Sequence, residues 1–163
     1  MTVVMKETLQ TFIKKNFKDD LFIVVSNRQP ISHSFEKGAV TAHRTPGGVV
    51  TAIEPIIRTC NGTWVAMASG SADRHVTGDQ GTIGLPEKNP EYTLKRIWLS
   101  KEDTQGYYYG YSNEALWPLC HYTFKRPIFR LEDWEAYKRV NRRFAEEVAA
   151  IIGNRRAFIW VHD

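Results

Sequence analysis

Apolar positions along this chain fall into short unbroken runs and into stretches spaced by three or four residues. Leu21-Phe22-Ile23-Val24-Val25, Thr63-Trp64-Val65-Ala66-Met67 and Ala157-Phe158-Ile159-Trp160-Val161 are the runs. Rich in β-branched and aromatic side chains, they read as strands buried on both faces, as in a parallel sheet. Tyr92 to Leu99 alternates and reads as a further strand. Helical spacing opens after Gly47-Gly48 with Val49, Val50, Ala52, Ile53, Ile56 and Ile57, where Pro55 predicts a break or kink. Lys101 to Tyr109 and Asn113 to Leu119 read as two short helices. The clearest helix follows Asp133, its expected N-cap. Trp134, Tyr137, Val140, Phe144, Val148 and Ile151 mark its buried face, and Gly153 its C-cap. Residues 31–46 show no period and read as loop. Ser69 to Pro90, rich in Gly, Asp, Asn and Pro, reads as loop with room for a short hairpin.

Strands alternating with helices predict an α/β layered domain with a mostly parallel sheet over residues 21–163. Ahead of it, residues 1–20 place Leu9, Phe12, Ile13 and Phe17 among Lys6, Glu7, Lys14, Lys15 and Lys18. That pattern predicts an amphipathic surface helix, and it lacks the uninterrupted apolar core of a secretory signal. Hydrophobic (42%) and charged (25%) fractions are those of a globular protein. The net charge of +4 is scattered and forms no nucleic-acid arm; it also suits phosphorylated ligands. Two cysteines, Cys60 and Cys120, offer neither a disulfide framework nor metal spacing, which fits a reduced, cytoplasmic setting. No stretch approaches a membrane span. The sequence stops just past a core strand, so a truncated domain is expected.

Ligands of open α/β sheets bind beyond the carboxyl ends of the strands. Ser26-Asn27-Arg28 and His162-Asp163 are expected there. Arg28 reads either as a solvated loop arginine or as an anion contact, since guanidinium pairs bidentately with phosphate. Asp163 reads as a helix cap or polar chain end, or as an acceptor for sugar hydroxyls. Gly47-Gly48 at a helix start is either a plain turn or an anion site built from backbone N–H groups; it lacks the dinucleotide fingerprint. Tyr107, Tyr108, Tyr109 and Tyr111, followed by Trp117, His121 and Tyr122, form a dense aromatic block suited to stacking on sugars, with Trp117 as core or cleft wall. The five histidines have no ligand spacing. No nucleophilic triad or acid–base carboxylate pair can be assigned.

Five segments, in order, carry a family resemblance: Val25-Ser26-Asn27-Arg28-x-Pro30; Gly47-Gly48-Val49-Val50-Thr51-Ala52; Tyr108-x-Gly110-Tyr111-Ser112-Asn113-x-x-Leu116-Trp117-Pro118-Leu119-x-His121-Tyr122; Tyr137-x-x-Val140-Asn141-x-x-Phe144-Ala145; and Ile159-Trp160-Val161-His162-Asp163. From about residue 21 onward the chain resembles the trehalose-6-phosphate synthase family, glycosyltransferase family 20. The resemblance implies the amino-terminal, acceptor-side half of a GT-B enzyme, a Rossmann-like domain that faces a second, donor-binding one. It implies retaining transfer of glucose from a nucleotide sugar such as UDP-glucose to glucose 6-phosphate, with no metal or cofactor and with the donor as a substrate. Carried over by motif, Arg28 contacts the acceptor phosphate and Tyr108, Trp117 and Asp163 hold the same sugar. Gly47 and Gly48 present N–H groups to the donor diphosphate.

Two departures qualify these expectations. The family's second tryptophan after the one matched by Trp64 is missing from Trp64-Val65-Ala66-Met67-Ala68-Ser69-Gly70. A different phosphorylated acceptor, as in a glucosylglycerol-phosphate synthase-like enzyme, is therefore an alternative. The chain also stops where the family continues with Tyr-His-Leu, so a poor catalyst on its own is expected. A non-catalytic sugar-phosphate-binding module, self-associating or pairing with a full-length synthase, is the remaining alternative.

Overall fold

The computed structural model describes residues 11–13, 15–17, 20–121 and 123–162. Residues 11–13 and 15–16 are helical and Phe17 is in a turn, while residues 1–10, 14, 18 and 19 of the expected N-terminal helix lie outside the described residues. The chain divides into two compact units, residues 1–97 with 151–163 and residues 98–150.

In the first unit β1 (Leu21–Arg28) is the buried spine, with Phe22 to Asn27 all shielded from solvent. It pairs in parallel with β4 (Thr63–Met67) on one side and β7 (Ala157–Val161) on the other. β4 pairs in parallel with β6 (Tyr92–Ile97), and β5 (Thr82–Leu85) closes that side antiparallel to β6. The resulting order is β5-β6-β4-β1-β7. Helix α1 (Gly48–Cys60) buries Val50, Ile53 and Ile57 against Phe22, Val24, Trp64, Ala66 and Leu94. Each such side chain contributes about 1.5–3 kcal/mol of burial. Pro55 does not break α1, which runs through it. Its missing N–H costs the helix the single bond to the Thr51 carbonyl, on a half-exposed turn.

Residues 31–46 are not loop. They hold β2 (Ile31–Glu36) and β3 (Ala39–Arg44), an antiparallel hairpin. Lys37 and Gly38 turn it with φ of 49° and 81°, the two left-handed centres of a type I′ turn. Most of its residues face solvent, so no apolar alternation announces it. Ser69–Pro90 holds no hairpin of its own: it contributes the one-turn helix α2 (Asp73–Val76) and β5, whose antiparallel partner is β6, the strand expected from Tyr92 onward.

In the second unit the two expected short helices are one continuous run. It comprises α3 (Lys101–Thr104), a π-helical segment (Gln105–Leu116) and α4 (Trp117–Cys120). Gly106, Gly110 and Ala115 are the buried positions of the π-helical segment, four and five residues apart, a spacing that suits i→i+5 hydrogen bonding. α5 (Leu131–Ile152) begins two residues before the expected cap, so Asp133 sits inside its first turn and accepts from Arg130 Nη1 at 3.0 Å. Its buried seam is Asp133, Ala136, Val140, Phe144 and Val148. Of the other residues expected on the buried face, Trp134 is exposed and Tyr137 and Ile151 are half-buried; Trp134 and Tyr137 flank the seam and pack at a tilt against Tyr107 and Tyr111. Gly153, φ 54°, follows the helix as expected.

The glycines let the two helical runs approach. A methyl group at Gly106 would come within 2.6 Å of Ala136 Cβ, and one at Gly110 would strike the Asp133 carboxylate. Gly110→Ala is therefore expected to destabilise this unit by about 1–3 kcal/mol, read as a lowered urea midpoint. An unchanged midpoint would show that the helices part without cost.

Candidate functional site

Beyond β6 the chain crosses to the opposite side of β1 to form β7, so strand order reverses between β1 and β7. In an open sheet that crevice, at the carboxyl edge, is where ligands bind. Arg28 ends β1 there with its side chain exposed. The backbone of His162 joins the same edge, donating its N–H to the Val25 carbonyl at 2.8 Å. Asp163 lies outside the described residues.

The end of β1 is irregular. Ser26 pairs with Ala66 and Arg28 with Met67, leaving Asn27 as an extra residue. Such a bulge bends a strand and re-aims its side chains. One hydroxyl holds it. The fully buried Trp64 donates its indole N–H to Ser26 Oγ at 2.8 Å, and Ser26 Oγ donates to the Arg28 carbonyl at 2.8 Å.

Beneath this edge lies a buried polar cluster that the sequence reading missed. Asp73 Oδ2 accepts from Gln29 Nε2 (2.7 Å), Gly70 N (2.8 Å) and Ser69 N (3.0 Å). Asp73 Oδ1 accepts from His33 N (2.7 Å) and pairs with Arg96 Nη2 (3.1 Å). Arg96 in turn donates Nε to Gln29 Oε1 (2.9 Å) and Nη1 to Thr77 Oγ1 (2.7 Å). Its Nη2 reaches the Ile31 carbonyl (3.2 Å) and His33 Nδ1 (2.8 Å). Guanidinium only donates, so Nδ1 accepts and Nε2 carries the proton given to Glu87 at 2.9 Å. Burial alone raises the Asp73 carboxyl, but the donors from Gln29, Gly70 and His33, with Arg96, outweigh it and hold it below the usual range. One signal was available: Arg96 lies on β6 in alternation with buried Tyr92 and Leu94, an arginine on an inward face.

Gly47 precedes α1 at φ 137°, a backbone conformation that favours glycine. Among the described residues no side chain caps this helix and its first turn holds no acid, and Gly47 and Gly48 are exposed at the positive end of the dipole. The hairpin returns the chain to the edge it left: Thr45 N donates to the Pro30 carbonyl at 3.0 Å. Arg28 lies two residues before that bond and Gly47 two residues after it. The first unit thus brings the guanidinium and the helix start to one edge.

Tyr108 and Trp117 belong to the second unit. Tyr108 is half-buried, edge-on to Tyr109 at 5.1 Å. Trp117 is 53% exposed and stacks on His121 at 4.5 Å, a flat shelf rather than core. Tyr107 is committed to packing, and burial first, then its tyrosine neighbours, pushes its phenol up to about 12. A groove of about 540 Å³ in this unit, bordered by Asp103, Arg139, Arg142 and Glu146, contains none of the expected site residues. Among the described residues no His, Cys, Asp or Glu group is placed to hold a metal, and no helix is long and apolar enough to cross a membrane. Burial raises the Cys60 thiol to about 11, which suits an inert packing role.

This Rossmann-like α/β sheet is the fold of the GT-B glycosyltransferases it overlays. The profile of glycosyltransferase family 20 matches residues 20–163, and the chain belongs to that family. It is 40% identical over 148 residues to the trehalose-6-phosphate synthase of Mycobacterium ulcerans, covering 90% of this chain and 28% of that protein. An E. coli structure described as trehalose-6-phosphate bound with UDP-2-fluoro glucose matches at 28% identity and TM-score 0.63, over 88% of this chain and 28% of that one. A UDP-forming α,α-trehalose-phosphate synthase from Burkholderia xenovorans in complex with glucose-6-phosphate matches at 27% identity and TM-score 0.59, over 88% and 28%.

Proposed function

We propose that this chain supplies the acceptor side of a retaining glucosyl transfer from UDP-glucose to glucose 6-phosphate, giving trehalose 6-phosphate. The observation that carries the reading is the exposed Arg28 on the bulged end of β1, at the sheet's switch point. There a guanidinium takes the acceptor's phosphate as a bidentate pair. The N–H groups of Gly47 and Gly48 face the donor diphosphate, where the helix dipole stabilises charge on the leaving group. Tyr108, Trp117 and Asp163 enter the proposal as acceptor contacts on their motifs alone. In the transfer the acceptor hydroxyl oxygen bonds to the anomeric carbon on the face that UDP leaves. The C–O bond to UDP breaks with its electron pair, and the departing phosphate oxygen takes the hydroxyl proton. Alignment of the two sugars and charge stabilisation are what the protein provides.

Calorimetry with glucose 6-phosphate tests the acceptor site. Arg28→Ala is expected to weaken binding on the order of 10- to 100-fold, from about 1.5–3 kcal/mol for hydrogen bonds to a charged group. Equal affinity of mutant and wild type would remove the reading. The absence of a second tryptophan after Trp64 favours one alternative, a smaller phosphorylated polyol as acceptor. Tighter binding of glycerol 3-phosphate than of glucose 6-phosphate in the same titration would select it.

A further inference from the structure

Among the described residues the Asn27 amide oxygen is buried and has no hydrogen-bond partner. The residue as a whole is only 9% exposed. Its buried neighbours contrast with it: Ser26, Gln29, His33, Asp73 and Arg96 all find partners. Buried polar atoms are almost always paired, and one left unpaired costs free energy that the fold must carry. Asn27 is also the extra residue of the bulge, without a ladder partner on β4. The same irregularity that directs Arg28 therefore places an unsatisfied carboxamide beside it, at the edge where ligands enter.

From this juxtaposition we infer that Asn27 is a specificity-determining residue: its carboxamide hydrogen-bonds a hydroxyl of the phosphorylated sugar whose phosphate Arg28 binds. The inference rests on the acceptor-site reading above. A polyol offers several hydroxyl donors to an amide oxygen, whereas inorganic phosphate presents mostly acceptor oxygens. Arg28 thus reads the phosphate and Asn27 reads the polyol attached to it.

Two probes separate these roles, glucose 6-phosphate and inorganic phosphate, titrated into the full chain. Asn27→Leu is expected to lower affinity for glucose 6-phosphate about five- to tenfold while affinity for inorganic phosphate stays within about twofold. Because leucine has the same branched heavy-atom skeleton and no polar atom, the unliganded mutant should melt at or above the wild-type temperature unless its bulkier methyl groups overpack the site. Asn27→Ala, which cannot overpack, runs beside it and should show the same split between ligands. Wild-type affinity for the sugar phosphate in both variants would overturn the inference. So would a clear drop in melting temperature with both ligands weakened alike, the mark of a structural asparagine. Arg28→Ala keeps the two levels distinct. If it abolishes binding of both probes while the Asn27 variants change nothing, only the inference fails; if it changes neither, the acceptor-site reading fails and takes the inference with it.

Discussion

Asp73→Ala is expected to destabilise the first unit by about 3–5 kcal/mol, the cost of breaking a buried ion pair from one side. Against a total of roughly 5–15 kcal/mol for a domain, that leaves a marginal fold. The carboxylate is fully buried and satisfies the Arg96 guanidinium, the Gln29 amide and the N–H groups of His33, Ser69 and Gly70. Alanine would strand a buried cation together with three backbone donors. Arg96→Met combined with Asp73→Leu should cost less than Asp73→Ala alone, because no charge is then left unpaired. The pH dependence follows from the lowered Asp73 pKa. A depressed carboxyl contributes its stability above the unfolded value of about 3.9 and loses it as pH falls through the folded value. The gap between wild type and Asp73→Ala in urea unfolding should therefore be flat above about pH 5 and narrow progressively as pH falls below about 4. A gap under about 1 kcal/mol at pH 7 would show that the cluster contributes little.

Trp64→Ala is the second large effect, about 3–5 kcal/mol for emptying a fully buried indole site. The informative partner is Trp64→Phe. It keeps most of the ring's packing but removes the N–H that Ser26 Oγ accepts. The expected stability loss is about 1–2 kcal/mol, one hydrogen bond plus a small void. Ser26 then loses a restraint on the hydroxyl that clamps the Arg28 carbonyl. Glucose 6-phosphate affinity should fall although Trp64 is buried beneath the edge. If Trp64→Phe keeps both stability and affinity, the clamp has no influence on Arg28.

What could be read from the amino acids divides along burial. β1 and β4 were legible because sheets covered by helices demand unbroken apolar runs, and Phe22 to Val25 and Trp64 to Ala66 supply them. The run Ala157–Val161 also forms a strand, but β7 is an edge strand with Phe158, Ile159 and Val161 exposed, not one buried on both faces. Helix α5 was legible by its period, yet its start was misplaced. Asp133 has the chemistry of a cap but is used to fit against Gly110. The β2–β3 hairpin was illegible because His33 is its one buried side chain, leaving Lys37-Gly38 as a faint turn signal. The π-helical segment hid because Gly110 looked like a terminator when it is a contact point. At the site, Arg28 and Gly47-Gly48 were visible as motifs. The cluster of Gln29, His33, Asp73 and Arg96 was not, since its members lie up to 67 residues apart and meet only through the fold.

The hairpin's dependence on that cluster changes how its exposed surface should be regarded. The His33 N–H and ring, the Ile31 carbonyl and the bond from Ala72 N to the His33 carbonyl all tie β2 to groups at the heart of the sheet. A ribbon with so much solvent-facing surface would ordinarily fray on its own. This one cannot lift away without breaking the Arg96 contacts to Ile31 and His33 and the His33 bonds to Asp73 and Ala72, so its opening is coupled to the buried cluster. An arm that looks peripheral shares the cooperativity of the centre, and the distance between Arg28 and the start of α1 is held by it.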